Sequence, residues 1–266
     1  MKNIKRYLIL YKVFIAQFFK KIMQSKVDFL MGLIGFLFTQ VLGISFLYLV
    51  FQQIPMLNGW TLDQLIFIYG FAQIPRGIDH LLTDNIWSVA WWMVVNGEFD
   101  RYMLRPMNIF FQVIAEKLQP DAFGELLVGT VLVIMSIAKG IVIVDVIHIF
   151  MFFISVIVGT FIYTAIKLFY TTFSFYVKNG GPIVQVAYEM SDFAKYPTEI
   201  YPRVVRAIIT WIIPFAFVAY LPASYFIKSG ASMSVIWIEG GIAIVFSIVA
   251  HLFFNHGTKI YESAGN

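Results

Sequence analysis

The sequence predicts an all-α protein that crosses a membrane several times, and three observations carry that expectation. Residues 29–51 form a run of 23 without one charged side chain. A hydrocarbon core of roughly 30 Å is spanned by about 20 apolar residues at about 1.5 Å rise each, so this run is long enough to cross. Across all 266 residues, 60% are hydrophobic and 13% charged, and the mean hydropathy is +0.80, far from the balance of a soluble domain. Residues 1–27 carry seven bases and no acid: Lys2, Lys5, Arg6, Lys12, Lys20, Lys21 and Lys26. A basic lead of this kind stays on the cytoplasmic side, so the first crossing runs from inside to outside.

The net charge of +4 hides an asymmetry, because the chain beyond the lead holds 12 Lys and Arg against 15 Asp and Glu, a net −3. The pI near 9.1 therefore reflects a lead facing acidic lipid headgroups, not a nucleic-acid surface. Cysteine is absent, which excludes disulfides and cysteine-bound metals. The first apolar run is too long for a signal peptide and no small-residue cleavage site follows it, so a retained anchor is expected.

The elements follow in order. Residues 4–24 place Ile4, Leu8, Tyr11, Ile15, Phe18, Phe19 and Ile22 at three- and four-residue spacings, with lysines mostly between them. That pattern suits an amphipathic helix in the cytoplasmic interface or an ordinary positive-inside flank. After the first span, the uncharged residues 52–60 make an outside loop, and a second segment over 62–82 returns inward carrying Arg76 and Asp79 beside Pro75. Trp87, Trp91 and Trp92 then fit rings parked at an interface. A polar interval over 96–117 leads to a third span near 121–138, a turn over 139–145, and a long fourth span near 147–176 interrupted by Lys167. The residues Lys178, Asn179, Gly180, Gly181 and Pro182 mark a turn, and Glu189, Asp192 and Lys195 interrupt a short fifth stretch. Pro197, Pro202, Pro214 and Pro222 come too close together for one straight helix. Residues 204–227 are thus either a span kinked at Pro214 or a broken re-entrant hairpin, tolerated only where protein or water covers its freed backbone groups. A last span over 234–254 makes six crossings, with both termini cytoplasmic.

No catalytic constellation is visible. His80, His148, His251 and His256 are scattered, and no nucleotide-cradling G-x-x-x-x-G-K-[ST] occurs. The informative polar stretch contains Gly97, Glu98, Phe99, Asp100, Arg101, Tyr102, Met103, Leu104, Arg105 and Pro106. Helical spacing puts Glu98, Arg101 and Arg105 on one face and Phe99, Tyr102 and Met103 on another. Such a helix suits docking into a groove on a soluble partner; a solvated loop whose arginines only enforce topology fits the composition equally. Arg76 and Asp79 lie three apart and are expected to neutralise each other, either sealing an interface or serving the pathway. Glu189 and Asp192 form a similar acidic pair, suited to a cation if they face a cavity.

The stretch over 97–106 resembles the G-E-L-D-x-x-L-x-[KR]-P pattern of an ABC-2-type permease family with six spans, with Phe99 where that family usually has leucine. The series Tyr196-Pro197, Tyr201-Pro202, Ile213-Pro214 and Leu221-Pro222-Ala223 resembles the family's proline-rich region between its fifth and sixth spans, and Asp84-Asn85 also matches. The resemblance covers most of residues 60–225. It implies a single permease domain over 1–266 in an ATP-driven exporter of the plasma membrane, with 1–27 an interfacial segment, 97–108 the coupling helix and 197–225 re-entrant on the outer side. It further implies an ABC ATPase subunit that binds ATP and Mg, a second permease, identical or paralogous, and surrounding lipid. This chain itself would bind no cofactor. The rival expectations are a secondary transporter using Arg76/Asp79 or Glu189/Asp192 as a relay, and a membrane enzyme or lipid-handling scaffold.

Overall fold

The computed structural model describes residues 11, 13, 16, 17, 20, 26–227 and 232–263. Most of the expected interfacial helix over 1–24 lies outside the described residues. Named elements in the described part are all helical, apart from two isolated backbone bridges, Leu57 with Trp60 and Val142 with Ile227. Among the described residues, seven longer helices organise the fold: α1 Lys26–Gln53, α2 Leu62–Thr83, α3 Ile109–Glu116, α4 Ala122–Ala138, α5 Val146–Thr172, α6 Gly181–Met190 and α7 Ser234–Ile260.

Among the described residues, three helical stretches are long and apolar enough to cross a membrane by themselves: Lys26–Gln53, Val146–Val177 and Ser234–Ile260. The bent pair Arg203–Ile212 and Phe215–Phe226, with 72° between its halves, makes a fourth only if it is one crossing. Of the six spans expected, α2 departs from a plain apolar helix because it carries Asp63, Arg76, Asp79 and His80, and α4 is short at 17 residues. α1 is apolar all round, and only Gln40 and Leu47 along it are buried. A helix of that kind has no use for water on any face.

α2 starts at a capping box, in which the Thr61 hydroxyl accepts from the Gln64 N–H and the Gln64 side chain accepts from the Thr61 N–H at 3.0 Å. It passes through Pro75 without breaking and continues past Asp84 through Asn85–Ser88 into a π-helical turn, Val89–Met93. Its contact with α4 is made by glycines. A Cβ on Gly129 would sit 2.8 Å from the Gly70 carbonyl oxygen, and one on Gly70 would sit 2.6 Å from the Leu132 Cβ. Small residues let membrane helices approach backbone to backbone.

The proline-rich segment is a chain of short helices, as the spacing of its prolines predicts. Pro197, Pro202 and Pro214 each stand just before one, at Thr198–Ile200, Arg203–Ala207 and Phe215–Phe217. Pro222 falls in the first turn of Tyr220–Phe226, where a missing N–H costs no helical bond. Both ends of this segment lie at one end of the molecule. At its start the Asn58 amide donates to the Glu199 carbonyl at 3.1 Å, and after it Ile143 N–H donates to the Phe226 carbonyl at 2.9 Å. Lys139 and Asp63 pair at that same end, 2.6 Å apart. The bend between the halves reaches inward, where Phe215 packs 5.5 Å from Tyr163.

Two aromatic cores hold the ends of the bundle. Phe67, Phe71, Phe152 and Phe226 form one, with Phe71 5.4 Å from Phe152 and 5.8 Å from Phe226. Phe99, Tyr102, Phe175, Phe254 and Tyr261 form the other, with Phe99 4.9 Å from Phe175 and 5.1 Å from Tyr261.

The glycine contact makes a direct prediction. Gly129→Ala forces α2 and α4 apart and lowers the thermal midpoint of the purified protein, at the scale of an overpacked core, about 1–3 kcal/mol. Gly240→Ala, inside α7 with nothing within 4 Å of the new methyl, does not lower the midpoint, since alanine is the better helix former. Equal midpoints for the two variants contradict this packing.

Candidate functional site

The interior between α2, α4, α5 and the 181–195 segment is charged. Arg76 reaches out of α2 to Asp192 at 2.7 Å and Glu125 at 3.5 Å, and donates to the Tyr188 hydroxyl at 2.9 Å. Lys195 holds the same Asp192 oxygen at 2.8 Å. One helical turn further along α2, Asp79 meets Lys167 of α5 at 2.8 Å, and Lys167 also reaches Asp84 at 3.0 Å. The other Asp79 oxygen accepts from the Thr83 and Thr164 hydroxyls at 2.6 and 2.7 Å. His80 stands between Glu125 at 3.4 Å and Asp84 at 3.6 Å.

Lys167 and Asp79 are each 4% exposed and Glu125 is 2% exposed. Charges at that depth persist only in pairs with good geometry, because each alone carries several kcal/mol of desolvation. A cleft of about 260 Å³, lined in part by His80, Asp84, Trp87, Trp91, Trp92 and Lys117, leads to this network. A recess of about 20 Å³ behind it touches Arg76, Asp79, Lys167 and Phe215.

The pairing differs from the expected one. Arg76 and Asp79 do not neutralise each other: Arg76 turns toward α4 and the 181–195 segment, and Asp79 toward α5. Carboxylates and an amine from other elements supply closer partners than a neighbour on the same helix. Glu189 and Asp192 do not act as an acidic pair either. Glu189 is exposed and accepts from Gln185 at 2.8 Å, whereas Asp192 is neutralised by Arg76 and Lys195.

Sequence reasoning passed over Glu125, His80 and Asp84 as members of a charged site. Glu125 lies about 50 residues from Arg76 in sequence, and only the fold brings the two together. A further buried acid, Glu239, is fully enclosed in α7 and accepts from the Ser155 hydroxyl at 2.7 Å, with its Oε1 unpartnered. A lone acid inside an apolar run was a readable signal.

The polar stretch over 97–106 is built differently from the amphipathic helix expected of it. Gly97 turns the chain with a left-handed φ of +72°, which glycine adopts without strain. Only Asp100–Met103 is helical, and Arg105 and Pro106 lie in the bend that follows. Phe99 and Tyr102 are fully buried in the second aromatic core, so the aromatic side faces this chain's own interior and is not free to dock. Arg101 pairs with Glu116 at 2.8 Å, and the Tyr102 hydroxyl donates to Glu116. Burial, then the bonded Glu116 carboxylate, pushes the Tyr102 phenol well up. Ser263 donates to Asp100 at 2.6 Å. Glu98 and Arg105 make no ion pair among the described residues, and between them Leu104 is 84% exposed.

The structure is thus a membrane bundle with a charged interior reached by a cleft and with a braced polar turn at one end. The profile of the ABC-2 family transporter proteins matches residues 36–265, and the chain belongs to that family. It is therefore a multi-pass membrane permease of the ABC transporter class, of the kind that works with an ABC ATPase. No curated protein matches the sequence.

The burial of the network separates its members by cost. Lys167→Met strands Asp79 and Asp84 and is expected to destabilise the protein by about 3–5 kcal/mol, the scale for a broken buried pair. Asp192→Asn, at a carboxylate 60% exposed, falls well short of that. Thermal unfolding in detergent compares them, and equal losses contradict the assignment of Lys167 as the buried anchor.

Proposed function

We propose that this chain is the permease subunit of an ATP-driven exporter that crosses the plasma membrane six times, with both termini in the cytoplasm. The crossings are α1, α2, α4, α5, the 181–195 segment and α7. The Arg203–Phe226 region dips in from the outer side and returns, lidding the pathway. Two observations support the hairpin: its ends lie beside residues 58 and 143, and its bend touches the charged interior. Two permeases, identical or paralogous, complete the pathway, and the exposed faces of α1 and α7 carry lipid and the second permease.

ATP and Mg act on the partner ATPase. The observation that carries coupling is the build of the 97–106 turn. Phe99 and Tyr102 lock it to the ends of α5 and α7, while Glu98, Met103, Leu104 and Arg105 stand outward. A rigid turn with one apolar knob between two unpaired charges suits a groove on a soluble subunit. ATPase closure would then tilt the helices and switch the cavity between faces.

Arg105→Glu and Leu104→Asp are expected to leave expression unchanged and to reduce transport-stimulated ATP hydrolysis at least about tenfold, the effect of roughly 1.4 kcal/mol of lost coupling. Unchanged stimulation in both returns the segment to a solvated loop. Export that stops on ATP depletion and survives collapse of the proton gradient separates this reading from a secondary transporter.

Topology has its own test, free of background because the chain has no cysteine. Asn58→Cys and Arg203→Cys are expected to react with an impermeant thiol reagent in intact cells, and Asn108→Cys only after permeabilisation. Labelling of Asn108→Cys in intact cells, with Asn58→Cys silent, inverts the arrangement.

A further inference from the structure

The charges of the buried network do not balance. Asp192 and Lys195 pair at its rim, 2.8 Å apart. Inside them Arg76 and Lys167 face three carboxylates, Asp79, Asp84 and Glu125, which are 2–17% exposed. One negative charge is left over, and the Glu125 Oε2 has no hydrogen-bond partner.

The side chain placed against that excess is His80. Its Nδ1 lies 3.4 Å from Glu125 and its Nε2 lies 3.6 Å from Asp84. A neutral imidazole has one N–H, so it would turn a lone pair toward one of these carboxylates. The doubly protonated ring donates toward both. Every element around His80 contributes to this balance: Arg76, Asp79 and Asp84 from its own helix and the end of it, Glu125 from α4, Lys167 from α5, and Tyr188, Asp192 and Lys195 from the 181–195 segment. Lys117, exposed at the cleft mouth, is screened by water and offsets the excess only weakly. The cleft lined by Trp87, Trp91 and Trp92 gives His80 contact with water. The inner recess, about 20 Å³, holds roughly one water molecule and no organic cation.

We propose that His80, with Asp84 and Glu125, is a proton-binding site of the protein. One proton from the cleft converts the His80 ring to imidazolium and neutralises the network, bridging α2 to α4 through Glu125. Its release leaves the network with one uncompensated negative charge shared among carboxylates that Arg76 and Lys167 only partly neutralise, removes the bridge from Asp84 to Glu125 and loosens that helix contact. No bond other than N–H forms or breaks.

The test uses the full chain, purified into lipid nanodiscs. The stability supplied by a proton held in the folded state is present at low pH and lost as pH rises through the titration of the ring. The wild-type thermal midpoint is therefore expected to fall across about pH 5 to 8, the histidine range. His80→Gln is expected to take the lower midpoint throughout, and His80→Arg the higher one. A superimposable pH profile for wild type and His80→Gln overturns the proposal. Should His80→Arg fail to fold, nitrogen NMR of histidine-labelled protein decides. The resonance lost in His80→Gln is expected to show both ring nitrogens protonated at low pH, and a neutral ring across the range refutes the site. Replacing sodium and potassium by choline at fixed pH is expected to change nothing. A midpoint that follows the metal cation and not pH assigns the excess charge to a cation and also overturns the proposal.

Discussion

A lysine buried in the last third of a long apolar helix has to find carboxylates, and much of this structure is arranged around where Lys167 finds them. Asp79 and Asp84 lie on α2 and at its end, so the pairing fixes the rotation of α2 against α5 and leaves Arg76 pointing the other way, toward α4 and the 181–195 segment. The threonines that bond the second Asp79 oxygen come one from each helix, Thr83 and Thr164, which seals the same contact. Hydrocarbon makes this arrangement strict. In water a misplaced charge is solvated, whereas here each must be met within hydrogen-bonding distance or stay near the cleft.

Most of the fold was legible because it is governed by length and composition. The apolar runs near 29–51, 121–138, 147–176 and 234–254 all appear as helices, and the prolines at 197, 202 and 214 stand at helix starts where their missing N–H is harmless. Partners were less legible, because an ion pair is a relation between distant elements. The three-residue spacing of Arg76 and Asp79 made a local pair look sufficient, yet Glu125 and Lys167 arrive from helices about 50 and 90 residues away in sequence. The turn over 97–106 failed differently. Helical spacing grouped Phe99, Tyr102 and Met103 on one face, but only Asp100–Met103 is helical; Phe99 and Tyr102 fill the core while Met103 stands outward.

Gly159 marks the place where the hairpin, α2, α5 and α7 converge. A Cβ there would stand 3.1 Å from the Val218 carbonyl oxygen, 3.3 Å from the Pro75 ring and 3.6 Å from the Glu239 Oε1. Two of these neighbours are weak points in their own elements. Pro75 removes a bond from α2. Glu239 has only the Ser155 hydroxyl. Groups left incomplete at one junction are tolerated in a membrane only when protein covers them. A glycine allows that cover, because its missing side chain lets the broken hairpin press against α5.

The two ends of the bundle are thus joined by shared helices. Val89–Met93 extends the path of α2 to the turn at Gly97, where Phe99 packs on Phe175 beyond α5 and on Tyr261 beyond α7. Those same helices carry Asp79 and His80, Lys167 and Ser155, and Glu239 respectively. A push on the turn at 97–106 does not act on a loose loop, because its aromatic side is embedded among the helix ends. The π-helical turn at Val89–Met93 stands between the α-helix Asn85–Ser88 and the turn residues 94–99, and π-helical turns often mark functional sites. In the coupling proposed above, helices that pivot about this aromatic core, with ion pairs that have discrete partners, would give the interior two ways to settle.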